Sequence, residues 1–277
     1  MRKQLERHLV ALLAPVLALI ATTEKAGAWT YNVENPREYS SHDCNMLANI
    51  DLPDYTTSLK NAMDSAGWNG YQFLDGQAWP QDLWESCGTS IQGGSGTGTV
   101  LGGLDNLYAD NKNLLVFAGH GGQNWVIFDR THNGECTANF TYHVRLGEMG
   151  GSQAAVAVMQ SCSVLASIPQ GLWQDVEWQG LRQQIGFTKE AAAGTDDLKN
   201  FFNATSTQSN KDAWINQHAS SGWGAVVLTV SQTSASDCWT QHGGNKLKAG
   251  IGNASYGGGT CGVGFPSPQY LCTTYIN

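Results

Sequence analysis

A histidine and a cysteine each follow a short apolar run in this sequence, which is the arrangement that thiolate chemistry needs. The run LLVFAG at 114–119 leads directly into His120, and AAVAVM at 154–159 leads through a Gln-Ser pair into Cys162. An imidazole within reach of a thiol removes its proton, and the resulting thiolate attacks a carbonyl carbon. The two residues therefore predict nucleophilic catalysis, with His120 as general base and Cys162 as nucleophile.

Two buried parallel strands would bring these side chains together. A short apolar run with β-branched members is typical of a strand that is buried on both faces. In an open parallel sheet, ligands bind at the carboxyl ends of the strands, and both reactive residues follow such ends. If the strands are parallel neighbours, His120 and Cys162 emerge at one edge of the sheet. The backbone N–H groups of Gly121 and Cys162 are then suitably placed to form an oxyanion hole.

The chain as a whole alternates predicted strands with predicted helices, which favours an α/β fold around a mostly parallel sheet. Residues 29–277 are predicted to form one domain with a substantial core. Its last part, 231–277, is rich in Gly, Ser and Cys and predicts irregular chain held by disulfides. The predicted strands span 44–50, 71–74, 114–119, 124–128, 154–160 and 225–230, and the predicted helices span 55–66, 104–108, 164–174, 176–185, 196–203 and 209–219.

The first 28 residues have the composition of a secretory signal peptide. A charged start, MRKQLERH, precedes the apolar run LVALLAPVLALIA and the small-x-small sequence Ala26-Gly27-Ala28. Such a segment is cleaved on export, and its apolar run is too short for a membrane-spanning helix. An uncleaved anchor is the alternative. We expect the mature chain to begin near Trp29 and to be secreted, either outside the cell or into the periplasm.

Charge and composition argue against several functions. The sequence has a net charge of −8, and loss of the leader, whose own net charge is +2, makes the mature chain more acidic still. Nucleic-acid binding needs clustered Lys and Arg, and the sequence has no such cluster. No later run is long and apolar enough to cross a bilayer. We therefore predict a secreted monomer that acts on peptides or proteins, without nucleic acid or membrane as a partner.

Seven cysteines constrain the covalent structure. An exported chain is expected to pair its cysteines, and an odd number leaves at least one of them unpaired within the chain. Cys162 is the expected free thiol, because it alone follows an apolar strand. The other six are expected to form disulfides whose connectivity the sequence does not determine. They are Cys44, Cys87, Cys136, Cys238, Cys261 and Cys272.

The succession of strand–His-Gly and strand–Gln-x-Cys resembles the caspase–legumain–gingipain group of cysteine peptidases, known as clan CD. Gln160-Ser161-Cys162 is similar to the caspase Gln-Ala-Cys, and Cys162 lies 42 positions after His120. The resemblance extends to a bacterial and fungal family of secreted caspase-like domains of unassigned function, and it covers most of residues 44–230. The stretches that carry it are GWNGYQFLDGQAWPQDLW at 67–84, GGLDNLYADNKNLLVFAGHGG at 102–122 and WQGLRQQIGF at 178–187.

This resemblance implies a three-layer α/β sandwich and an endopeptidase that works through an acyl-enzyme, with no metal or organic cofactor. It implies His120 as base, Cys162 as nucleophile, and the N–H groups of Gly121 and Cys162 as the oxyanion hole. It supplies no substrate-binding residues, so the specificity pocket stays unassigned. The tail at 231–277 matches nothing in it.

Other interpretations stay open at this point. Cys162 is compatible with a plain buried cysteine, since cysteine is among the most buried residue types. A caspase-like fold without a working site would serve as a binding module. A paired Cys162 would instead indicate a disulfide-stapled surface protein. Ten tryptophans also leave stacking on a carbohydrate open, although no pair of carboxylates suggests a glycosidase.

Two cofactor patterns are weak. Asp129, His132, Cys136 and His143 are zinc-ligand types, but an Asn-Gly pair between His132 and Cys136 favours a turn. The glycine-rich loop at 91–103 lacks the spacing of a nucleotide-binding motif. We therefore predict neither a metal nor a cofactor.

Overall fold

A computed structural model describes most of the chain after residue 28. The described residues are 29–44, 50–84, 103–132, 134–140, 144, 146, 156–166, 181–191, 194–231, 234, 236–241, 244, 246–247 and 270–275. The predicted signal peptide at 1–28 lies outside them, and so does the loop at 91–103 except for its last residue.

Ten strands and five α-helices occur in these residues. The strands are β1 (Thr30–Asn35), β2 (Asn69–Leu74), β3 (Leu114–Ala118), β4 (Gly121–Gly122), β5 (Trp125–His132), β6 (Glu135–Asn139), β7 (Val156–Gln160), β8 (Gln183–Phe187), β9 (Ala225–Ser231) and β10 (Tyr270–Tyr275). The helices are α1 (Thr57–Ser65), α2 (Asp105–Tyr108), α3 (Asp197–Ala204), α4 (Asn210–His218) and α5 (Asp237–Gln241).

Seven of these strands form one sheet in the order β2-β1-β3-β7-β8-β9-β10. The first five run parallel to one another, whereas β9 is antiparallel to both of its neighbours. The protein is therefore an α/β protein with a mostly parallel sheet, as predicted. The central strands β3, β7 and β8 are buried along their whole length, because both faces of the sheet are covered.

Alternate side chains of the central strands enter two separate cores, since successive strand residues point to opposite faces. Leu114, Val116 and Ala118 of β3 belong to a core that includes side chains of α1, α3 and α4. Leu115 and Phe117 belong to a second core that includes side chains of β5 and β6. Helices thus pack on one face of the sheet, and a second sheet packs on the other.

That second sheet is antiparallel, with the order β4-β5-β6. Its first strand begins at Gly121, directly after the predicted catalytic histidine. A small apolar group, here called the Tyr39 cluster, adjoins this sheet and consists of Tyr39, Cys44, Ile127 and Cys136. The second sheet therefore connects the predicted site to a separate cluster of buried residues.

Four of the six cysteines predicted to pair form two disulfides. Cys44 bonds to Cys136 and Cys238 bonds to Cys272, whereas Cys87 and Cys261 lie outside the described residues. Cys162 has no disulfide partner. The alternative in which Cys162 is half of a bridge therefore loses its basis.

The structure of residues 181–191 differs from the prediction. The pattern at 176–185 predicts a helix, but Gln183–Phe187 form the buried strand β8. Gln183 is fully buried. Its side chain accepts a hydrogen bond from Asn210 at 2.9 Å and donates one to Thr229 at 3.4 Å, so its polar atoms are satisfied without water. Hydrogen-bond partners elsewhere in the fold thus allow polar residues in this buried strand. The strand therefore lacks the apolar run by which a buried strand is predicted from the sequence.

The tail also differs from the irregular chain predicted for 231–277. Within its described residues it forms α5 and β10, and β10 extends the main sheet by pairing antiparallel to β9. The Cys238–Cys272 disulfide joins these two elements, so a disulfide holds the tail, as predicted, through a pairing that the sequence left open. No helix in the described part of the chain is long and apolar enough to cross a bilayer.

Two buried carboxyl groups predict an unusual dependence of stability on pH. Burial, and then repulsion from Asp82, raises the pKa of Glu34 well above its ordinary value, and burial raises the pKa of Asp82 to about 7. Between about pH 4 and pH 7 the unfolded chain loses these protons while the folded chain keeps them. The two groups therefore lower the free energy of unfolding as the pH rises through this range.

Glu34→Gln should reduce that loss of stability. The glutamine side chain can still accept the hydrogen bond that Asn32 donates to Glu34 at 2.6 Å in the wild type, and it does not titrate. We expect the variant to gain on the order of 1–2 kcal/mol over wild type between pH 4.5 and pH 7, measured by urea unfolding. Titrating groups that do not interact with Glu34, such as the buried His218, contribute alike to both proteins and cancel in the difference, whereas Asp82 keeps the rise in pKa that its own burial causes. Glu135→Gln, at an exposed glutamate, is the control, and an equal pH slope in wild type and Glu34→Gln would refute the prediction.

Candidate active site

The two predicted catalytic residues lie at matching positions beyond neighbouring strands. β3 and β7 are parallel, and Ala118 of β3 pairs with Gln160 of β7. The Gly119 N–H donates to the Gln160 carbonyl at 3.2 Å, which continues the pairing by one step. His120 and Cys162 each follow two residues after the paired positions. Both therefore emerge at the carboxyl-terminal edge of the sheet.

His120 and Cys162 line one open cleft of about 760 Å³ at this edge. That volume lies within the roughly 300–1,000 Å³ typical of ligand sites. Other walls come from the start of the second sheet and from the segments that follow β7, β8 and α4. They include Gly121, Trp125, Ser163, Glu190, Ala191 and Trp223.

A backbone carbonyl fixes the tautomer of His120. The ring Nε2 lies 3.0 Å from the carbonyl oxygen of Ile50. Because a carbonyl oxygen can only accept a hydrogen bond, neutral His120 carries its proton on Nε2 and has a lone pair on Nδ1. Nδ1 makes no hydrogen bond to any described residue. It is therefore the ring nitrogen that can act as a base.

Tyr39 holds His120 from a second side. Its ring packs edge-on against the imidazole, with ring centroids 4.6 Å apart. Its hydroxyl accepts a hydrogen bond from the His120 N–H at 3.2 Å and donates one to the Ile127 carbonyl at 2.8 Å. Burial raises the pKa of Tyr39 well above its ordinary value, so the hydroxyl keeps the proton that it donates. The backbone and the ring of His120 are thus both restrained.

The segment that carries the Ile50 carbonyl is itself anchored. The Asp51 carboxylate accepts hydrogen bonds from the Ser40 N–H at 2.9 Å and from its hydroxyl at 2.8 Å. The Leu52 N–H donates to the Arg37 carbonyl at 3.0 Å, and the Leu52 side chain packs against the Tyr39 cluster. The Ile50 carbonyl, which orients His120, is therefore held by contacts outside β3 and β7.

Cys162 is half-buried in the cleft and bonds away from the histidine. Its Sγ lies 3.6 Å from the Ala191 carbonyl oxygen, to which the thiol donates, and no hydrogen bond joins it to His120, which is also a described residue. Tyr55 lies within electrostatic reach of the thiol. Burial, and then the charges of a Cys162 thiolate and of Asp197, raises the pKa of Tyr55. The imidazole and the thiol thus lie in one cleft, where His120 bonds to the Ile50 carbonyl and Cys162 to the Ala191 carbonyl.

The backbone turns sharply at the cysteine. Ser163 has a φ of +52°, in the left-handed region that residues other than glycine rarely adopt. Its N–H donates to the Lys189 carbonyl at 2.9 Å, whereas the Cys162 N–H has no hydrogen-bond partner among the described residues. An unpaired N–H beside the thiol is what an oxyanion hole requires.

Gly121, the other predicted oxyanion donor, packs closely on the strand end that leads to Cys162. A Cβ atom at this position would lie 2.2 Å from the Ser161 Oγ and 2.8 Å from the Trp125 carbonyl oxygen. Ser161 is buried, so it has little room to move. The close contact between the second sheet and the end of β7 therefore requires glycine here.

Sequence comparison places this site within one family. Residues 34–255, which contain the whole cleft described above, match a family described as "Domain of unknown function (DUF6345)". The chain belongs to the DUF6345 family. A comparison with curated proteins gave no match. The reaction must therefore be inferred from the geometry of the DUF6345 site itself.

Several residues of this DUF6345 site have no signal in the sequence analysis. Ile50 contributes a backbone carbonyl, which any residue type would supply, and Tyr39 acts through a tertiary contact. Glu190 was within reach of sequence reasoning, because it follows a strand next to the one that leads to Cys162. The polar composition of that strand, β8, obscured it.

The zinc alternative finds no support in this DUF6345 chain. Cys136 is bonded to Cys44, and His132 stacks on Trp79 with ring centroids 4.1 Å apart. His143 lies outside the described residues. Within the described ranges, no group of three or more His, Cys, Asp or Glu side chains is placed to hold a metal ion.

Proposed function

We propose that this DUF6345 protein is a secreted cysteine endopeptidase of caspase-like fold, with His120 as general base and Cys162 as nucleophile. The observation that carries the proposal is the register of β3 and β7, which brings the two side chains to one edge of the sheet and into one cleft. The unprotonated Nδ1 of His120 adds support, because a general base needs a free lone pair.

Acylation begins when the Cys162 thiol leaves the Ala191 carbonyl and gives its proton to Nδ1 of His120. The sulfur then attacks the carbonyl carbon of the peptide bond, and the N–H groups of Cys162 and Gly121 stabilise the oxyanion. The imidazolium, held by the Ile50 carbonyl, returns the proton to the leaving amine. The C–N bond breaks and a thioester remains.

Deacylation uses the same groups. Nδ1 of His120 takes a proton from water as the water oxygen adds to the thioester carbon. The C–S bond then breaks, which releases the carboxylic acid product, and the imidazolium returns the proton to the thiolate. Each proton that His120 accepts is therefore given back within the cycle, which uses no metal or organic cofactor.

The wider features of the proposal have their own support. Helices on one face of the main sheet and an antiparallel sheet on the other support three layers, and the parallel neighbours β3 and β7, which lead to His-Gly and Gln-x-Cys, support the caspase-like arrangement. The two disulfides support an oxidising compartment, and hence export after removal of the predicted leader. The open cleft supports a peptide or protein as substrate, and we propose that the enzyme is a monomer.

A peptide library offered to the purified protein, before and after treatment with iodoacetamide, tests the proposal. We expect cleavage by the untreated protein and loss of cleavage once one carboxamidomethyl group is attached to Cys162. The native thiol should also react faster at pH 7 than a model thiol such as glutathione, because His120 promotes thiolate formation. Cleavage that survives complete alkylation of Cys162 would exclude the mechanism.

A peptide-binding module without catalysis is the second candidate, and one contact favours it. The Cys162 thiol donates to the Ala191 carbonyl and not to His120. A permanent bond of this kind would leave the thiol protonated and slow to react. Such a protein would cleave no library peptide, and its Cys162 would be alkylated rapidly only after unfolding.

A further inference from the structure

Among its described lining residues, the cleft that holds His120 and Cys162 has one carboxylate. Glu190 is the one other ionisable side chain among the described residues that line it. Its carboxylate is exposed and makes no hydrogen bond or ion pair with the described part of the chain. Lys189, its neighbour in the chain, packs its side chain on Gly224 and does not line the cleft. The carboxylate is therefore available to a ligand.

The backbone on both sides of Glu190 contacts the turn that carries the nucleophile. The Lys189 carbonyl accepts the Ser163 N–H at 2.9 Å, and the Ala191 carbonyl accepts the Cys162 thiol at 3.6 Å. Glu190 is therefore held beside the point of attack. Its side chain lines the same cleft as the Cys162 thiol.

Two indoles line the same cleft. The Trp125 ring lies against Gly122, where an added Cβ would come within 2.4 Å of it. The Trp223 ring packs on those of Phe187 and His218, with centroids 5.9 and 5.6 Å apart. The faces of indoles attract cations. A carboxylate and two restrained indoles together suit a planar cation, since a guanidinium both pairs with carboxylates and stacks on aromatic rings.

We infer that the cleft selects a basic side chain, arginine in preference to lysine, on the acyl side of the bond that is cleaved. The inference rests on the proposed peptidase function and names its substrate class. Glu190 supplies the opposing charge, and Trp125 and Trp223 supply surfaces on which the guanidinium stacks. Lysine can satisfy the charge, but its compact ammonium lacks the planar surface.

Fluorogenic peptides that differ only in the residue before the scissile bond test this inference. We expect kcat/KM to be at least about tenfold higher for arginine than for citrulline, its neutral analogue, with lysine between them. Glu190→Gln should bring the arginine-to-citrulline ratio close to one. Glu190→Arg should make a glutamate peptide the better substrate. Glu135→Gln, at an exposed glutamate of β6 outside the cleft, should keep the wild-type ratio.

The two proposals fail in different ways. A protein that cleaves arginine and citrulline peptides equally well would overturn the substrate inference and leave the peptidase proposal standing. A protein that cleaves library peptides but neither of these two would also overturn the substrate inference alone, whereas a protein that cleaves no library peptide would overturn the peptidase proposal. Protection of Cys162 from iodoacetamide by benzamidine then tests the cation site alone. Protection of the wild type, weakened in Glu190→Gln, supports the site, and equal labelling with and without benzamidine overturns it.

Discussion

Replacing Cys162 with alanine is expected to lower kcat/KM for peptide hydrolysis by at least about 10⁴-fold, and replacing His120 with alanine by about 10³- to 10⁴-fold. The first change removes the atom that forms the acyl-enzyme, whereas the second leaves the thiol and removes its base. Because the two side chains act as a unit, the double variant should be no slower than Cys162→Ala alone. Steady-state kinetics on the arginine peptide measure all three variants.

Controls separate catalysis from folding in these variants. His120 and Cys162 are both half-buried, so neither alanine opens a large cavity, and thermal unfolding should show midpoints close to that of wild type. His132→Ala removes a histidine of β5 that stacks on Trp79 outside the cleft. It should keep kcat/KM within about twofold of wild type. Wild-type activity in His120→Ala would refute its role as base, and multiplicative losses in the double variant would refute their action as a unit.

The sequence predicts the positions of His120 and Cys162 because these positions depend on the two buried strands that precede them. Leu114–Ala118 and Val156–Gln160 are fully buried, and buried parallel strands need apolar side chains on both faces. Such runs are visible in a single sequence, and the residues that follow them are placed by the sheet. The edge to which His120 and Cys162 belong was therefore predictable before their contacts were known.

The side-chain contacts at that edge were not predictable in the same way. The tautomer of His120 depends on the carbonyl of Ile50, which lies 70 positions away in the chain and reaches the ring through tertiary structure. Bonding of the Cys162 thiol to Ala191 depends on how β8 continues after its last residue. These contacts involve backbone atoms, which every residue type provides, so no sequence pattern marks them.

The same reasoning explains two of the elements that the sequence did not predict. β8 contains Gln183 and Gln184 at fully buried positions, which only hydrogen-bonding partners elsewhere in the fold make tolerable. Among the described strands, β10 is an edge strand of mixed polarity, YLCTTY, which pairs with β9 on one side only. Both strands owe their formation to partners distant in sequence, and local pattern is weak in such cases.

Removing the Cys44–Cys136 disulfide is expected to lower the free energy of unfolding by about 2–5 kcal/mol and to slow catalysis. The bridged residues are 92 apart in the chain, so the bond restricts the unfolded state strongly. The bridge also lies in the Tyr39 cluster, which contacts His120 through Tyr39 and supports Leu52 beside Ile50. We expect kcat to fall about tenfold in Cys44→Ala/Cys136→Ala, because proton transfer is slower when the His120 ring is no longer held in its orientation. KM should change less than kcat, since Glu190 and Trp223 lie on other elements and only Trp125 of the proposed cation site packs against the Tyr39 cluster.

The Cys238–Cys272 disulfide provides the matched control for that effect. It joins α5 to β10, which is separated from β3 by three strands of the main sheet. Cys238→Ala/Cys272→Ala should therefore lose stability to a similar extent, about 2–5 kcal/mol, yet keep a kcat near that of wild type. Urea unfolding and steady-state kinetics at a temperature where all three proteins are folded measure both quantities. An equal fall of kcat in the two double variants would show that activity follows global stability, and would refute the orientation of His120 by the Ile50 carbonyl and the Tyr39 cluster.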